Sequence, residues 1–176
     1  MGLFGKPTIS EKDAAGRFVL SILRGVRETW PQITGQFSPF LDSDAEQLQS
    51  PWAQFEFGVA SIAIQIQALQ NLLPTDQARR VRGYIVACLS APDLGSVPVE
   101  SLAAYERAWL DAPEQGEMPF NAVASVLYDH LGLDCSVTVG GARLKDPLLI
   151  MAMGGAVTTF GGPWWKSLIS KYRLVA

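Results

Sequence analysis

The chain contains few of the residues on which metal centres and disulfide scaffolds depend. Its 176 residues include one histidine, His130, and two cysteines, Cys88 and Cys135. Zinc fingers and histidine-rich metal centres need several such ligands, and a disulfide scaffold needs more cysteines. Neither a Cys-x-x-Cys redox motif nor the paired Glu-x-x-His motifs of di-iron bundles occurs in the sequence. We therefore predict no metal site and no bound cofactor.

Charged residues are also scarce. They make up 18% of the chain, against about 25% in a typical globular protein. The formal net charge is −3, which excludes a nucleic-acid binder built on overall positive charge. Hydrophobic residues make up 48%, and a chain of this length suits one hydrophobic core. We predict a single water-soluble helical domain over residues 1–176.

The sequence lacks the motifs of phosphate-binding loops and nucleophilic enzymes. The pairs Gly154-Gly155 and Gly161-Gly162 are not followed by the lysine and hydroxyl residue of a phosphate loop, and Gly-x-Gly-x-x-Gly is absent. A catalytic triad would have to use His130. We interpret His130 as a residue at the end of a helix, where an imidazole interacts favourably with the helix dipole. We expect no convergence of reactive side chains and predict a non-enzymatic protein.

No secretory signal pattern is visible near the N-terminus. The first apolar run, Phe18 to Leu23, is interrupted by Ser21 and closed by Arg24, whereas a signal peptide needs about 7–15 apolar residues and a cleavage site. We predict a cytoplasmic protein with Cys88 and Cys135 as reduced thiols. A disulfide between the two cysteines stays open as the alternative.

One uncharged stretch is almost long enough to span a membrane. Pro147 to Trp165 carries no charge, and its length approaches the roughly 20 residues that span a bilayer. Its strongly apolar part, Leu148 to Phe160, is shorter, and the stretch contains four glycines. Short apolar runs of this kind are typical of buried core helices. We predict a core helix and keep membrane association through the C-terminal segment as a less favoured alternative.

Apolar residues recur at helical spacing along most of the chain. The pattern predicts a mainly α bundle of about six or seven helices packed around a central helix, Trp52 to Leu73, whose only charge is Glu56. Pro31 predicts that the first helix ends or breaks near Trp30. The predicted helix caps are Ser10, Ser43, Ser50, Thr75 and Asn121, and the last apolar helix is predicted to open at Asp146 or Pro147.

The sequence pattern changes from helical to strand-like spacing in a short segment near residues 135–145. Cys135 to Val139 alternates in polarity, Gly140-Gly141 follows, and Ala142 to Lys145 comes next. Two such runs around a two-residue glycine turn predict a β-hairpin. An isolated hairpin is marginal in water, so we expect it to pack on the helices.

The charges are grouped by sign along the chain. Residues 28–78 hold six acidic residues and no lysine or arginine, and residues 143–176 hold five basic residues and one acidic residue. We expect such segments to pair with one another in the folded chain. The alternative is a polarised surface that steers a charged protein partner.

The C-terminal segment carries the most suggestive surface cluster. Aromatic anchors beside basic groups are enriched at protein interfaces. We predict an interaction module, such as an adaptor, an immunity-type inhibitor or an assembly subunit, that binds another protein or a second copy of itself. The predicted partner-binding residues are Trp164, Trp165, Lys166, Lys171 and Arg173, with Asp111, Glu114 and Glu117 as a second, acidic patch. The alternative is that one or both tryptophans pack in the core.

The alternative function is a bundle that binds a small molecule or lipid in an apolar internal pocket. The polar residues that would orient such a ligand are Glu56, Gln65 and Tyr84. Glu56 also has two interpretations of its own. We expect it to face solvent near the start of its helix, and the alternative is a buried carboxylate that acts as an acid.

Overall fold

The computed structural model describes residues 6–41, 45–90, 97–139, 142–160 and 162–176. Within these ranges the chain is mainly α-helical, which confirms the predicted fold class. The helices are α1 (Glu11–Phe37), α2 (Ala45–Leu48), α3 (Pro51–Leu72), α4 (Thr75–Leu89), α5 (Val97–Asp111), α6 (Pro119–His130), α7 (Pro147–Thr159) and α8 (Trp164–Lys171). The strands are β1 (Thr8–Ser10), β2 (Ser136–Val139), β3 (Ala142–Lys145) and β4 (Arg173–Val175).

Helix α3 is the central element, as the sequence predicts. The hydroxyl of Ser50 caps it by accepting a hydrogen bond from the Ala53 amide at 3.0 Å. The helix contacts α1, α5, α6 and α7, and its side chains are buried on every side over most of its length. Gly58 allows α1 to approach closely, because a Cβ atom there would lie 2.6 Å from Cδ2 of Leu23.

Helix α1 is longer than its sequence predicts. Pro31 lies inside the helix, so the prediction of an end near Trp30 was wrong. A proline removes one helical hydrogen bond and costs about 3 kcal/mol in a helix interior. Beyond Pro31 the buried stripe continues through Ile33 and Phe37, and burying each such side chain stabilises the fold by about 1.5–3 kcal/mol. Burial therefore outweighs the local cost.

Predicted caps are confirmed at some helices and wrong at others. The hydroxyl of Ser10 caps α1 by accepting a hydrogen bond from the Asp13 amide at 3.0 Å, and the last apolar helix begins at Pro147, one of its two predicted starts. Thr75 is the first residue of α4 rather than its cap, and Asn121 lies within α6, which begins at Pro119. Proline suits the first helical position because the amide it lacks would be unpaired there. The predicted cap Ser43 lies outside the described residues.

Two small sheets complete the fold. Strands β2 and β3 form the predicted antiparallel hairpin, with Ser136 opposite Lys145 and Val139 opposite Ala142. Its predicted Gly140-Gly141 turn lies outside the described residues. Strands β1 and β4 pair in parallel, and the Arg173 amide donates to the Pro7 carbonyl at 2.9 Å. This second pairing joins the two ends of the chain and has no local sequence signal.

The uncharged C-terminal stretch is divided between two helices. Helix α7 has 13 residues and packs on the core through Leu149, Met153 and Val157. Helix α8 then begins at Trp164. None of the helices in the described ranges has the length and hydropathy needed to cross a bilayer.

Candidate functional site

The structure separates the two tryptophans of the predicted C-terminal surface. The side chain of Trp165 is 1% exposed, and its ring lies 4.9 Å from that of Phe18 between centroids. Trp164 also packs on Phe18, at 5.2 Å, but stays partly exposed. Trp165 is therefore a core residue, and its predicted role in contacting a partner was wrong.

Trp164 and Lys171 line a surface groove of about 600 Å³, which we call the C-terminal groove. It lies between α1, the end of α7 and α8. Its lining residues are Ser21, Ile22, Gly25, Thr159, Phe160, Gly162, Pro163, Trp164, Ser167, Leu168, Lys171 and Tyr172. Three of these residues are aromatic, so the groove offers flat apolar surface to a ligand.

The electrostatic character of the C-terminal groove is positive. Lys171 is the one charged residue among its described lining residues. Lys166 and Arg173 are exposed on the same C-terminal segment, although neither lines the groove. The sequence has no aspartate or glutamate from Pro147 to Ala176. The acidic residue Glu28 of α1 is engaged by Arg24 at 2.7 Å.

Other surface cavities surround the bundle. One of about 520 Å³ lies on a different side of α1, beside Leu20, Arg27 and Phe55. Two smaller cavities of about 350 and 260 Å³ lie beside Arg82 and beside Trp30. The predicted pocket residues Glu56, Gln65 and Tyr84 line none of these four cavities.

The three predicted pocket residues, Glu56, Gln65 and Tyr84, lie in different parts of the structure. The Gln65 amide group donates to the Phe160 carbonyl at 3.5 Å, and Tyr84 is a partly buried residue of α4. Glu56 belongs to a different cluster. The structure therefore does not assemble these three residues around one of the cavities described above.

The polar cluster in the core consists of Glu56, Tyr105 and His130. The Tyr105 hydroxyl donates to Oε1 of Glu56 at 2.7 Å, and Nδ1 of His130 lies 2.5 Å from the same oxygen. The Tyr105 hydroxyl also lies 3.1 Å from His130 Nδ1. Helices α3, α5 and α6 each supply one of the three groups. The expectation that reactive side chains do not converge was therefore wrong.

The burial of Glu56 and Tyr105 determines the electrostatics of this cluster. Glu56 is fully buried, so the prediction that it faces solvent was wrong. Its side chain lies on a helix that is covered on all sides, and its Oε2 atom has no hydrogen-bond partner among the described residues. Burial raises the pKa of Tyr105 well above its usual value, and the nearby Glu56 charge raises it further. The phenol thus keeps its proton and donates a hydrogen bond to the Glu56 carboxylate.

His130 is the part of the cluster nearest to solvent. It ends α6 as predicted, and about a third of its side chain is exposed. Its imidazole contacts Glu56 and Tyr105, which the capping interpretation did not include. A carboxylate oxygen accepts hydrogen bonds, so Nδ1 carries the hydrogen that His130 shares with Glu56. The one sequence signal for this cluster is a lone acid in an otherwise uncharged helix.

Two ion pairs join helices that are distant in the sequence. Arg80 of α4 binds the buried Glu11 of α1 through two hydrogen bonds of 2.8 Å. Arg82 binds Glu106 of α5 in the same two-pronged manner. The hydrogen bond from Arg80 is the main cause of a lowered pKa at Glu11. These pairs fix α4 against its two neighbours.

The remaining candidate residues from the sequence do not form a common site with one another. Asp111, Glu114 and Glu117 are exposed at and after the end of α5. Cys88 and Cys135 are partly buried and are not joined to each other by a disulfide. Within the described ranges, no cluster of three or more histidine, cysteine, aspartate or glutamate side chains is arranged to hold a metal ion.

Comparisons with protein-family models, curated proteins and solved structures found no match to this chain.

Proposed function

We propose that the protein is an interaction module that binds an acidic segment of a partner protein in the C-terminal groove. The observation that carries this proposal is an open, largely apolar groove of about 600 Å³ with a single charged lining residue, Lys171. The proposal covers the adaptor, inhibitor and assembly-subunit roles together, and it places the interaction in the cytoplasm.

The lining of the groove specifies the chemistry of its occupant. Phe160, Trp164 and Tyr172 suit apolar or aromatic side chains, which dominate the energetics of protein interfaces. Lys171 at the groove and Lys166 and Arg173 nearby favour carboxylates around those anchors. The preferred ligand is therefore a peptide that alternates apolar anchors with aspartate or glutamate.

The positive charge is local, because the whole chain has a net charge of −3. A local basic patch on an acidic protein steers an acidic partner toward one surface and disfavours other orientations. Screening by salt weakens such steering over a Debye length of about 10 Å at 0.1 M. Binding in the C-terminal groove should consequently weaken as the salt concentration rises.

Fluorescence anisotropy with labelled synthetic peptides tests the proposal. The probe is a short peptide with leucine and phenylalanine anchors among glutamates, and its counterpart has lysine in place of every glutamate. We expect the acidic peptide to bind and the basic peptide to bind at least about tenfold more weakly, which corresponds to about 1.4 kcal/mol. Equal binding of the two peptides, or no binding of the acidic one, would overturn the proposal.

Matched variants locate the binding surface. Lys171→Glu reverses the charge at the groove, and Lys12→Glu makes the same change on an exposed residue of α1 that does not line it. We expect only Lys171→Glu to weaken binding of the acidic peptide. Deleting α8 is unsuitable as a test because it would remove Trp165 from the core. Equal effects of the two point variants would show that the C-terminal groove is not the site.

A further inference from the structure

A second groove, which we call the α1–α3 groove, lies between the middle of α1 and the start of α3, and the proposed function does not use it. Its volume is about 520 Å³, and small-molecule sites typically have volumes of about 300–1,000 Å³. Among the described residues, α1 lines it with positions 20, 23, 24 and 27, and α3 lines it with positions 51, 54 and 55. These spacings place each set on one side of its helix, so two helices form the walls.

The walls of the α1–α3 groove are mainly apolar, and helix packing holds them in place. Leu23 lies against Gly58 of α3, where a Cβ atom would come within 2.6 Å of the leucine Cδ2 atom. Pro51 and Phe55 supply apolar surface on the α3 side, and Leu20 of α1 is 70% exposed. The groove therefore offers aliphatic and aromatic surface to a ligand that arrives from solvent.

The charged side chains of the α1–α3 groove are both cationic. Arg24 and Arg27 line it, and its described lining residues include no aspartate or glutamate. Arg24 donates to Glu28 at 2.7 Å, whereas Arg27 makes no hydrogen bond or ion pair with a described residue. A guanidinium presents five N–H donors in a planar fork that matches a carboxylate. The donors of Arg27 are thus available to an anionic group in the groove.

This lining requires an occupant with an apolar part and an anionic part. An aliphatic chain suits Leu20, Leu23 and Phe55, and a carboxylate suits Arg27, while Gln54 adds one neutral polar group. A mainly apolar lining with a few polar groups that fix orientation is the usual construction of a small-molecule site. We propose that the α1–α3 groove binds a free anionic amphiphile, namely an aliphatic chain that ends in a carboxylate.

Charge and shape favour a single small molecule over a membrane surface. The chain has a net charge of −3, and α1 also exposes Asp13 and Glu28, so an anionic bilayer would repel much of the protein. A small carboxylate carries one charge and meets only the arginines of the groove. A concave site also encloses an aliphatic chain better than it fits a flat bilayer.

Isothermal titration calorimetry of the full chain with octanoate tests this inference. Octylammonium is the counterpart, because it has the same chain length and a cationic end. We expect octanoate to bind and octylammonium to bind at least about tenfold more weakly, because guanidinium groups attract the first and repel the second. Both probes are used below the concentrations at which they form micelles. Equal binding of the two probes, or no binding of octanoate, would overturn the inference.

Chain length tests the apolar part of the groove. Hexanoate keeps the carboxylate and lacks two methylene groups of octanoate. We expect hexanoate to bind more weakly by up to about 15-fold, which is the effect of burying two methylene groups completely. Equal affinities of hexanoate and octanoate would contradict a site in which the chain packs against leucine and phenylalanine.

Matched arginine variants locate the site. Arg27→Gln removes the unpaired charge of the groove, and Arg17→Gln makes the same change on an exposed residue of α1 that does not line it. We expect octanoate to bind Arg27→Gln at least about tenfold more weakly and Arg17→Gln as it binds the wild type. Circular dichroism confirms that each variant is folded. Equal losses in the two variants would rule out the α1–α3 groove as the site.

Two further measurements separate this inference from other occupants and from the proposed function. Flotation of the protein with phosphatidylglycerol vesicles, without binding of octanoate, would assign the arginines to a membrane surface and overturn the inference. Lys171→Glu should leave octanoate binding unchanged, and Arg27→Gln should leave binding of the acidic peptide to the C-terminal groove unchanged. Failure of octanoate to bind therefore leaves the proposed function intact.

Discussion

Glu56 shows how a single buried charge depends on its neighbours. A carboxylate removed from water without partners costs several kcal/mol, because the interior solvates charge poorly. Here the Tyr105 hydroxyl and the His130 imidazole both contact Oε1, while Oε2 is unpaired among the described residues. The two contacts therefore offset part of the cost of burying this side chain.

Removing one of these contacts should destabilise the whole protein. Tyr105→Phe deletes the donated hydroxyl and leaves Glu56 with fewer partners, so we expect a loss of about 1–3 kcal/mol in the free energy of unfolding. Urea unfolding followed by circular dichroism measures this loss. Tyr84→Phe is the control, because its hydroxyl makes no hydrogen bond to the described residues. Equal losses in the two variants would argue against a role for the hydroxyl of Tyr105 in the cluster.

At the scale of elements, close approach between helices is decided by individual glycines. A Cβ atom at Gly154 would lie 3.0 Å from a side-chain atom of Phe120 and 3.2 Å from its carbonyl oxygen. The carbonyl belongs to the backbone of α6 and cannot move aside without shifting the helix. At Gly155 the corresponding space is open. Two adjacent glycines in one helix thus have different structural roles.

The two glycines therefore predict opposite effects of the same substitution. Gly154→Ala should destabilise the protein by about 1–3 kcal/mol, because it overpacks the contact between α6 and α7. Gly155→Ala should stabilise it by about 0.5–1 kcal/mol, because alanine favours the helix and meets nothing. Thermal unfolding at low protein concentration compares them. Similar shifts of Tm in both variants would contradict the assigned packing.

At the scale of the whole molecule, the charges join elements that are distant in the sequence. The pair of Arg80 and Glu11 ties α4 to α1, and the pair of Arg82 and Glu106 ties α4 to α5. Lys145 of β3 contacts Asp129 of α6 at 2.6 Å and connects the hairpin to the bundle. Lys166, Lys171 and Arg173 take part in none of these three pairs, and Lys171 lines the C-terminal groove.

The pair at Glu11 predicts how stability depends on pH. Its lowered pKa means that the pair stabilises the fold above the unfolded carboxyl value of about 4.3, and that this contribution is lost as pH falls toward the lower folded value. Urea unfolding from about pH 6 down to about pH 3 measures the loss. Glu11→Gln should destabilise the protein at pH 6, and its difference from the wild type should shrink in acid.

A second carboxyl provides the control for this measurement. Glu100→Gln changes an exposed residue of α5 and should leave the pH dependence of the wild type intact. A constant difference between wild type and Glu11→Gln across the pH range would contradict the argument, because the contribution of the ion pair must disappear once Glu11 is protonated.

Prediction from the sequence succeeded where the signal was local. The central helix was predicted to within about a residue at its start and end, and the cap residues Ser10 and Ser50 were predicted because capping depends on residues only three positions away. The hairpin was predicted for the same reason. The first helix was predicted too short, because the local effect of Pro31 is weaker than the burial of the helical turn that follows it.

The amino-acid sequence alone determined the mainly α class, the central helix and the shortage of metal ligands, since composition and periodicity record which residues are apolar and how they repeat. The tertiary structure alone decided that Trp165 is buried while Trp164 lines a groove. It also decided that Glu56 meets Tyr105 and His130, which lie 49 and 74 positions away along the chain. Periodicity shows that an element has a face to bury, but the neighbours that cover that face come from distant segments and are chosen by packing.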